Sequence, residues 1–170
     1  DDEAVTDLCS SYSGNGIVVA ANFNSPGQVV ISGSPNAVVT VMDSAKESGA
    51  RMAVQLNVSG AFHSPLMTPA REALAESLDS LEILDSLYPV FTNVDAKPVT
   101  QGNDIKDSLI RQLENPVLWT KSIFSMKELG IESFVEVGPG KVLQGLNKRM
   151  DRKTLSQGVE SLEQVENFNV

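Results

Sequence analysis

The sequence predicts an α/β protein with a mostly parallel sheet. Two features support this prediction: segments with helical apolar spacing alternate with short apolar runs that are typical of strands, and turns rich in Gly, Pro, Asn and Ser separate them. The chain has 170 residues, of which 41% are hydrophobic, so it can bury a core as one domain or two small ones. No apolar run reaches the roughly eighteen residues that a membrane-spanning helix needs, so none is expected.

The elements of the first third of the chain are predicted in the order α-β-β-α-β. The turn Asn24-Ser25-Pro26-Gly27 separates the two adjacent strands, and Ser34-Pro35 is typical of a helix start. One more strand in front would complete the order of a ferredoxin-like unit, so the pattern indicates an incomplete ferredoxin-like subdomain. The predicted segments are a helix over residues 2–12, strands over 17–23 and 28–33, a helix over 35–49 and a strand over 51–58.

Helices and strands continue to alternate in the rest of the chain. Ser64-Pro65 and Asn115-Pro116 are predicted helix starts, and Gly138-Pro139-Gly140 is predicted as a tight turn into a helix that ends at Met150. Residues 155–170 are predicted as a short strand followed by a weak helix. The remaining segments are helices over residues 65–81, 104–114 and 116–130 and strands over 89–94 and 133–137.

The only histidine of the chain, His63, lies at a predicted corner between a strand and a helix. Such corners are where α/β folds place reacting groups, because loops at strand ends are accessible and held by a rigid scaffold. The alternative is a structural histidine whose ring binds a backbone carbonyl. The residues alone leave both interpretations open.

Composition argues against several classes of function. The net charge of −9 is unfavourable for a nucleic-acid surface, which needs a dense basic patch. One histidine and one cysteine, with scattered carboxylates, predict no metal site. Cys9 is expected to be a small core residue in a reducing compartment. The chain opens with Asp1-Asp2-Glu3 rather than a basic, apolar signal segment, so we expect the cytoplasm, with an organelle stroma as the alternative.

Several different short motifs occur along the chain in a characteristic order. They occupy residues 22–33, 58–67 around His63, 92–95, 111–113, 115–119 and 136–143. In this order and spacing they resemble the malonyl-CoA:acyl-carrier-protein transacylases of type II fatty-acid synthesis. The resemblance covers nearly the whole chain and corresponds to the C-terminal portion of that family.

The resemblance implies a large α/β-hydrolase-like acyltransferase domain with an inserted ferredoxin-like subdomain. On that map residues 1–58 form the incomplete ferredoxin-like subdomain, and residues 59–170 form the C-terminal part of the large domain. The family's nucleophile is a serine in a Gly-His-Ser-Leu-Gly type motif, which has no match here. The family's oxyanion-hole segment and the arginine that binds the malonyl carboxylate also lack a match. We therefore expect the 170-residue chain to supply the base and to be inactive by itself.

The resemblance also assigns candidate site residues. His63 is the expected general base, and the main-chain carbonyl of Gln112 is expected to orient its ring. Phe62 is expected to favour malonyl over methylmalonyl by its bulk, with core packing as the alternative. Asn24 is a candidate substrate contact, with a role in shaping the turn as the alternative.

The remaining expectations concern partners. The implied reaction moves a malonyl group from malonyl-CoA to the phosphopantetheine thiol of acyl carrier protein, with no bound cofactor. A basic cluster is a candidate docking surface for the acidic carrier protein, or else a set of cations that offset a helix dipole. A non-catalytic ferredoxin-like binding module or scaffold subunit is the alternative function. The residues of the basic cluster are Lys148, Arg149, Arg152 and Lys153.

Overall fold

The computed structural model describes residues 1–168, and these residues form an α/β chain. Residues 169 and 170, which end the predicted tail helix, lie outside the described residues. The chain divides into two compact units, Asp1–Ser122 and Ile123–Val170. This division does not test the predicted subdomain boundary after residue 58, which stays a prediction. In the described part of the chain, every helix is too short or too polar to cross a membrane.

The first unit begins with two helices and a β-hairpin. The elements are α1 (Asp2–Ser10), β1 (Val18–Ser25), β2 (Gln28–Gly33) and α2 (Pro35–Glu47), which confirms the predicted order. Strands β1 and β2 pair antiparallel, and Gly27 in their turn has a φ of 77°, which glycine adopts without steric cost. Cys9 is buried as predicted, and burial raises the pKa of its thiol to about 11. It packs in a small core with Val18, Ala37 and Val41.

The strand predicted over residues 51–58 does not form. Its alternating side chains Met52, Val54, Leu56 and Val58 are 80%, 62%, 54% and 62% exposed, and no described strand pairs with this segment. Alternation of polarity predicts two faces, but a strand also needs a partner for its N–H and C=O groups. Strands β1 and β2 form a two-stranded sheet with each other, and residues 51–58 do not extend it. The ferredoxin-like arrangement of residues 1–58 therefore stays a prediction.

The rest of the first unit is mainly helical. Its elements are a 3₁₀-helix (Pro65–Met67), α3 (Thr68–Asp79), β3 (Val90–Phe91), β4 (Pro98–Val99), α4 (Gly102–Arg111) and the first residues of α5 (Trp119–Glu128). Strands β3 and β4 pair antiparallel. The strand predicted over residues 89–94 is therefore limited to two residues, because the chain turns away at Thr92 into the loop that leads to β4.

Helix α5 begins later than the sequence predicts. The N–H of Val117 donates to the carbonyl of Ala21 (2.8 Å), and the N–H of Phe23 donates to the carbonyl of Val117 (2.9 Å). Because these bonds pair the backbone of Val117 with the edge of β1, Val117 cannot be part of helix α5. The side chain of Asn115 donates to the carbonyl of Arg111 (2.7 Å). Asn115 therefore caps the end of α4 rather than the start of α5.

The second unit contains a β-α-β segment followed by a short helix. Its elements are β5 (Ser133–Val137), α6 (Val142–Met150), β6 (Leu155–Val159) and α7 (Leu162–Glu166). Strands β5 and β6 pair in parallel. The Glu136 carboxylate accepts the N–H groups of Leu143 and Gln144 at the start of α6, and these hydrogen bonds hold its pKa below the usual range.

The prediction of a mostly parallel sheet is wrong for the described residues. They form three two-stranded sheets, and only the β5–β6 pair is parallel. A helix between two strands permits a parallel crossover, but it does not determine which strands become neighbours. That choice depends on tertiary packing, which the sequence pattern does not show.

Candidate active site

His63 lies in a tight turn immediately before the 3₁₀-helix. The next residue, Ser64, is completely buried; its hydroxyl donates to the carbonyl of Ala61 (2.6 Å) and accepts the N–H of Leu66 (3.3 Å). The serine thus closes the turn and caps the helix that follows, as Ser64-Pro65 predicts. The backbone of His63 is left-handed, with a φ of 59°. Histidine tolerates this region only with a steric cost, so the turn must hold the residue firmly.

The ring of His63 is oriented by the end of helix α4. Its Nδ1 lies 2.7 Å from the carbonyl oxygen of Gln112, a residue 49 positions further along the chain. A carbonyl oxygen can only accept, so Nδ1 carries a hydrogen and donates it. In the neutral ring Nε2 therefore holds a lone pair and can accept a proton. This geometry brings together the two residues that the resemblance pairs.

Gln112 can offer its carbonyl because it is the C-cap residue that follows Arg111 at the end of helix α4. The last carbonyls of a helix have no intrahelical partner, so they are available to groups outside it. The side chain of Gln112 is also held: its Oε1 accepts a hydrogen bond from Asn93 Nδ2 at 3.0 Å. The carbonyl is therefore fixed at a residue whose backbone and side chain are both anchored.

A second contact anchors the same end of α4 to the loop between β3 and β4. The guanidinium of Arg111 makes two hydrogen bonds to the Asp95 carboxylate, with Nη1–Oδ1 and Nη2–Oδ2 distances of 3.1 and 2.7 Å. Asp95 also accepts hydrogen bonds from the hydroxyls of Ser108 and Thr92. The arginine hydrogen bonds are the main reason why the pKa of Asp95 lies below its usual range. The same pairing raises the pKa of Arg111.

Phe62 and Asn24 occupy different environments. The side chain of Phe62 is 46% exposed, so it is not a core residue of the described chain. Its ring lies over Gly60, where an added Cβ would come within 3.3 Å of Cζ. Asn24 is half-buried at the end of β1, at an irregularity in the register with β2. This position fits the role in shaping the turn, while a substrate contact stays a prediction.

The basic cluster belongs to the second unit. Lys148 and Arg149 lie in the last turn of α6, and Arg152 and Lys153 follow it; all four are exposed. Between these pairs, Asp151 forms an ion pair with Lys127, and this contact lowers the pKa of the Asp151 carboxyl. In residues 1–168, no group of three or more His, Cys, Asp or Glu side chains is arranged to hold a metal ion.

Asn93, Asp95 and Arg111 were not identified as site residues from the sequence. All three lie in the motifs over residues 92–95 and 111–113, which support the family resemblance. The signal was therefore present, but the motifs did not show that Asp95 binds Arg111, 16 positions away, or that Asn93 binds Gln112, 19 positions away. Only the folded chain reveals that they hold the end of α4.

The contact between His63 Nδ1 and the Gln112 carbonyl fits a general base held in one tautomer and also a structural histidine, so the class of protein rests on its similarity to known families. The chain belongs to the acyl transferase domain family, because the model of that family matches residues 3–166. Among curated proteins, it is 44% identical over 98% of its length to the malonyl CoA-acyl carrier protein transacylase of Bacillus subtilis. It is 43% identical over its whole length to the protein of that name from Haemophilus influenzae.

Solved structures agree with these relatives. An acyl carrier protein S-malonyltransferase from Vibrio cholerae superposes with a TM-score of 0.92 at 42% identity, over 98% of this chain and 54% of that one. The malonyl-transacylase PlMCAT, solved in complex with the type II PKS acyl-carrier protein AntF, gives a TM-score of 0.90 at 40% identity, over 98% of this chain and 54% of that one. The chain spans 53% and 55% of the lengths of the two curated relatives. The resemblance to the transacylases is thereby confirmed.

Proposed function

We propose that this chain supplies the histidine base for transfer of a malonyl group from malonyl-CoA to the phosphopantetheine thiol of acyl carrier protein. The observation that carries the proposal is the 2.7 Å contact between His63 Nδ1 and the carbonyl of Gln112, which leaves Nε2 as the proton acceptor. The relatives are named malonyl CoA-acyl carrier protein transacylases, and these names identify malonyl-CoA as the donor and acyl carrier protein as the acceptor.

The proposed reaction has two half-reactions. In the first, a serine hydroxyl attacks the malonyl thioester while His63 Nε2 takes its proton; collapse of the tetrahedral intermediate releases the CoA thiol, which receives that proton. In the second, the carrier thiol gives its proton to Nε2 and attacks the malonyl ester, and the proton then returns to the serine oxygen. The Gln112 carbonyl faces the ring throughout and stabilises the positive charge that each proton transfer creates.

The serine of this mechanism would come from outside the 170 residues, because no Gly-His-Ser-Leu-Gly type motif occurs among them. We therefore expect no malonyl transfer by the 170-residue polypeptide alone. We also propose a role in fatty-acid synthesis, location in the cytoplasm and a ferredoxin-like subdomain over residues 1–58. A non-catalytic binding module is not favoured, because the acyl transferase family matches residues 3–166 and thus includes the His63 turn.

Replacement of His63 tests the proposed base. In the native polypeptide that carries this sequence, His63→Ala should lower malonyl transfer by at least about a thousandfold, the scale found for catalytic bases in triads. Added imidazole should restore part of the activity of His63→Ala, because it can enter the space of the missing ring and accept the proton.

The control for this experiment is a substitution away from the His63 turn. Ser77→Ala removes an exposed hydroxyl that bonds only within α3 and should retain most of the activity. Loss of tenfold or less in His63→Ala, with an unchanged far-ultraviolet circular dichroism spectrum, would contradict the base assignment.

A further inference from the structure

A second set of contacts joins the chain segment that carries His63 to the segment that carries Gln112. His63 lies five residues before Thr68, where helix α3 begins, and Gln112 lies two residues before Glu114, just beyond helix α4. Glu114 spans the gap between these two elements: its carboxylate accepts the hydroxyl of Thr68 and forms an ion pair with Arg71, with Oε2 and Nε 3.0 Å apart. The two segments are therefore connected twice, by the His63–Gln112 hydrogen bond and by the Glu114 contacts.

The Glu114 contacts are stronger than a typical surface ion pair. The side chains of Glu114 and Arg71 are 24% and 30% exposed, so solvent screens their attraction only in part. Thr68 has one hydroxyl hydrogen and two acceptors within reach, the carbonyl of Pro65 (2.7 Å) and the Glu114 carboxylate. The charged carboxylate is the stronger acceptor and draws the first turn of α3 towards the end of α4.

We propose that Glu114 is a positioning residue that sets the separation between His63 and the carbonyl of Gln112. By fixing the start of α3 to the segment after α4, its carboxylate keeps Nδ1 within hydrogen-bond distance of the carbonyl and so keeps Nε2 free of hydrogen. The inference deepens the proposed function, since it concerns the orientation of the proposed base. It requires no additional ligand or partner.

The chain contains a control for this role. Helices α3 and α4 are also joined by an ion pair between Asp79, the last residue of α3, and Lys106 in the middle of α4, 3.5 Å apart. Asp79 is 81% exposed, so its contact contributes less stability than those of Glu114, and the free energy of unfolding of each variant is measured together with its ring spectrum. A positioning residue acts on His63 only from the start of α3, so Asp79→Ala is the control for Glu114→Ala.

The first test measures the tautomer of His63 without any assay of activity. The native polypeptide is labelled with ¹⁵N-histidine, and the ring resonances of His63 are identified by their loss in His63→Ala. In the unsubstituted protein and in Asp79→Ala, we expect the neutral ring to carry its hydrogen on Nδ1. In Glu114→Ala, the hydrogen should be shared between Nδ1 and Nε2, because a ring released from the carbonyl populates both tautomers.

The second test separates positioning from binding. Glu114→Ala should lower kcat about tenfold or more while the KM for malonyl-CoA changes less than about twofold, since a small displacement of a reacting group affects the chemical step. Glu114→Gln retains an acceptor for Thr68 and should recover most of kcat. Asp79→Ala should behave like the unsubstituted protein.

The outcomes distinguish this inference from the proposed function. An unchanged ring spectrum in folded Glu114→Ala, or an equal change in Asp79→Ala, would overturn the positioning role whatever the activity. If Glu114→Ala does not fold, the ring spectrum of Thr68→Ala decides, because this variant removes the hydroxyl that the Glu114 carboxylate binds. A hydrogen shared between Nδ1 and Nε2 in Thr68→Ala supports the positioning role, and an unchanged spectrum refutes it. Retained transfer in His63→Ala would instead refute the proposed base and leave the spectral test valid.

Discussion

At the scale of single residues, the left-handed backbone of His63 is the most demanding feature of the candidate site. Ala96, in the loop that carries Asp95, has the only other positive φ among the non-glycine residues described, 53°. Conformations of this kind cost of order 1–3 kcal/mol each and persist where surrounding contacts impose them. For His63 those contacts are the buried Ser64 and the carbonyl of Gln112. The turn therefore presents the ring at the expense of local backbone energy.

Phe62 is the residue on which acyl selectivity can be tested. Phe62→Ser should raise methylmalonyl transfer relative to malonyl transfer, because it removes bulk next to His63; one such contact is worth about 1–3 kcal/mol of discrimination. The ratio of kcat/KM for the two thioesters is the measurement. Phe62→Leu, which keeps most of the bulk, is the control. A ratio that stays the same in both variants would assign the exposed ring another role.

At the scale of elements, the end of α4 is held by the loop between β3 and β4. Asp95 and Arg111 form a two-bond ion pair, and Asn93 binds the side chain of Gln112. These contacts hold the side chains of Arg111 and Gln112, next to the Gln112 carbonyl that binds His63 Nδ1. A short hairpin with only two paired residues per strand is thus linked to the candidate site by its connecting loop rather than by its sheet.

The low pKa of Asp95 makes this contact dependent on pH. Because the carboxyl binds a proton less readily in the folded protein than in the unfolded chain, its contribution is complete above the ordinary aspartate pKa of about 3.9 and is lost as pH falls through the lower folded value. Asp95→Asn should lower the free energy of unfolding by about 1 kcal/mol at pH 7, a modest value because both side chains are partly exposed. Urea titrations at pH 7 and pH 3 measure the difference, which should shrink at pH 3.

Asp107→Asn is the control for this prediction. Asp107 pairs with the same arginine, but its side chain is 62% exposed, so solvent screens the contact and the variant should lose less stability. A difference between Asp95→Asn and the unsubstituted protein that remains the same size at pH 3 would show that the carboxylate charge is not responsible.

At the scale of the whole molecule, charge is distributed unevenly. The chain carries a net charge of −9, yet the end of α6 presents four exposed basic residues within six positions. A positive surface on a negative protein can attract an acidic partner and orient it during encounter. We propose this basic cluster as the docking surface for the carrier protein, while its effect on the α6 dipole remains the alternative.

Charge reversal tests the docking surface. Lys148→Glu combined with Arg149→Glu should raise the KM for carrier protein about tenfold and leave the hydrolysis of malonyl-CoA unchanged, because water needs no docking surface. The effect should diminish as salt is added, since both surfaces are exposed to solvent. Lys97→Glu combined with Lys121→Glu changes the net charge equally at other exposed sites and is the control. Equal effects of the two double variants would attribute the change to net charge.

The sequence by itself determined the elements whose signals are local. The β1–β2 hairpin, helix α2 and strand β5 follow from turn residues, caps and periodicity within about fifteen residues, and the structure has them within a few positions of the prediction. The motifs also determined the family, and with it His63 and Gln112 as the residues to examine.

The tertiary structure decided everything that depends on distant partners. Residues 51–58 have the alternation of a strand but no neighbour in the described chain, and Val117 leaves its predicted helix because β1 binds its backbone. Likewise, the histidine motif identifies His63 as the candidate base, but it does not show that Asn93 binds the side chain of Gln112 or that Arg111 pairs with Asp95. Nor does it show that Glu114 contacts Thr68 and Arg71. The physical reason is that hydrogen bonds and ion pairs between separate elements are selected by packing in three dimensions, whereas local propensity describes each segment alone.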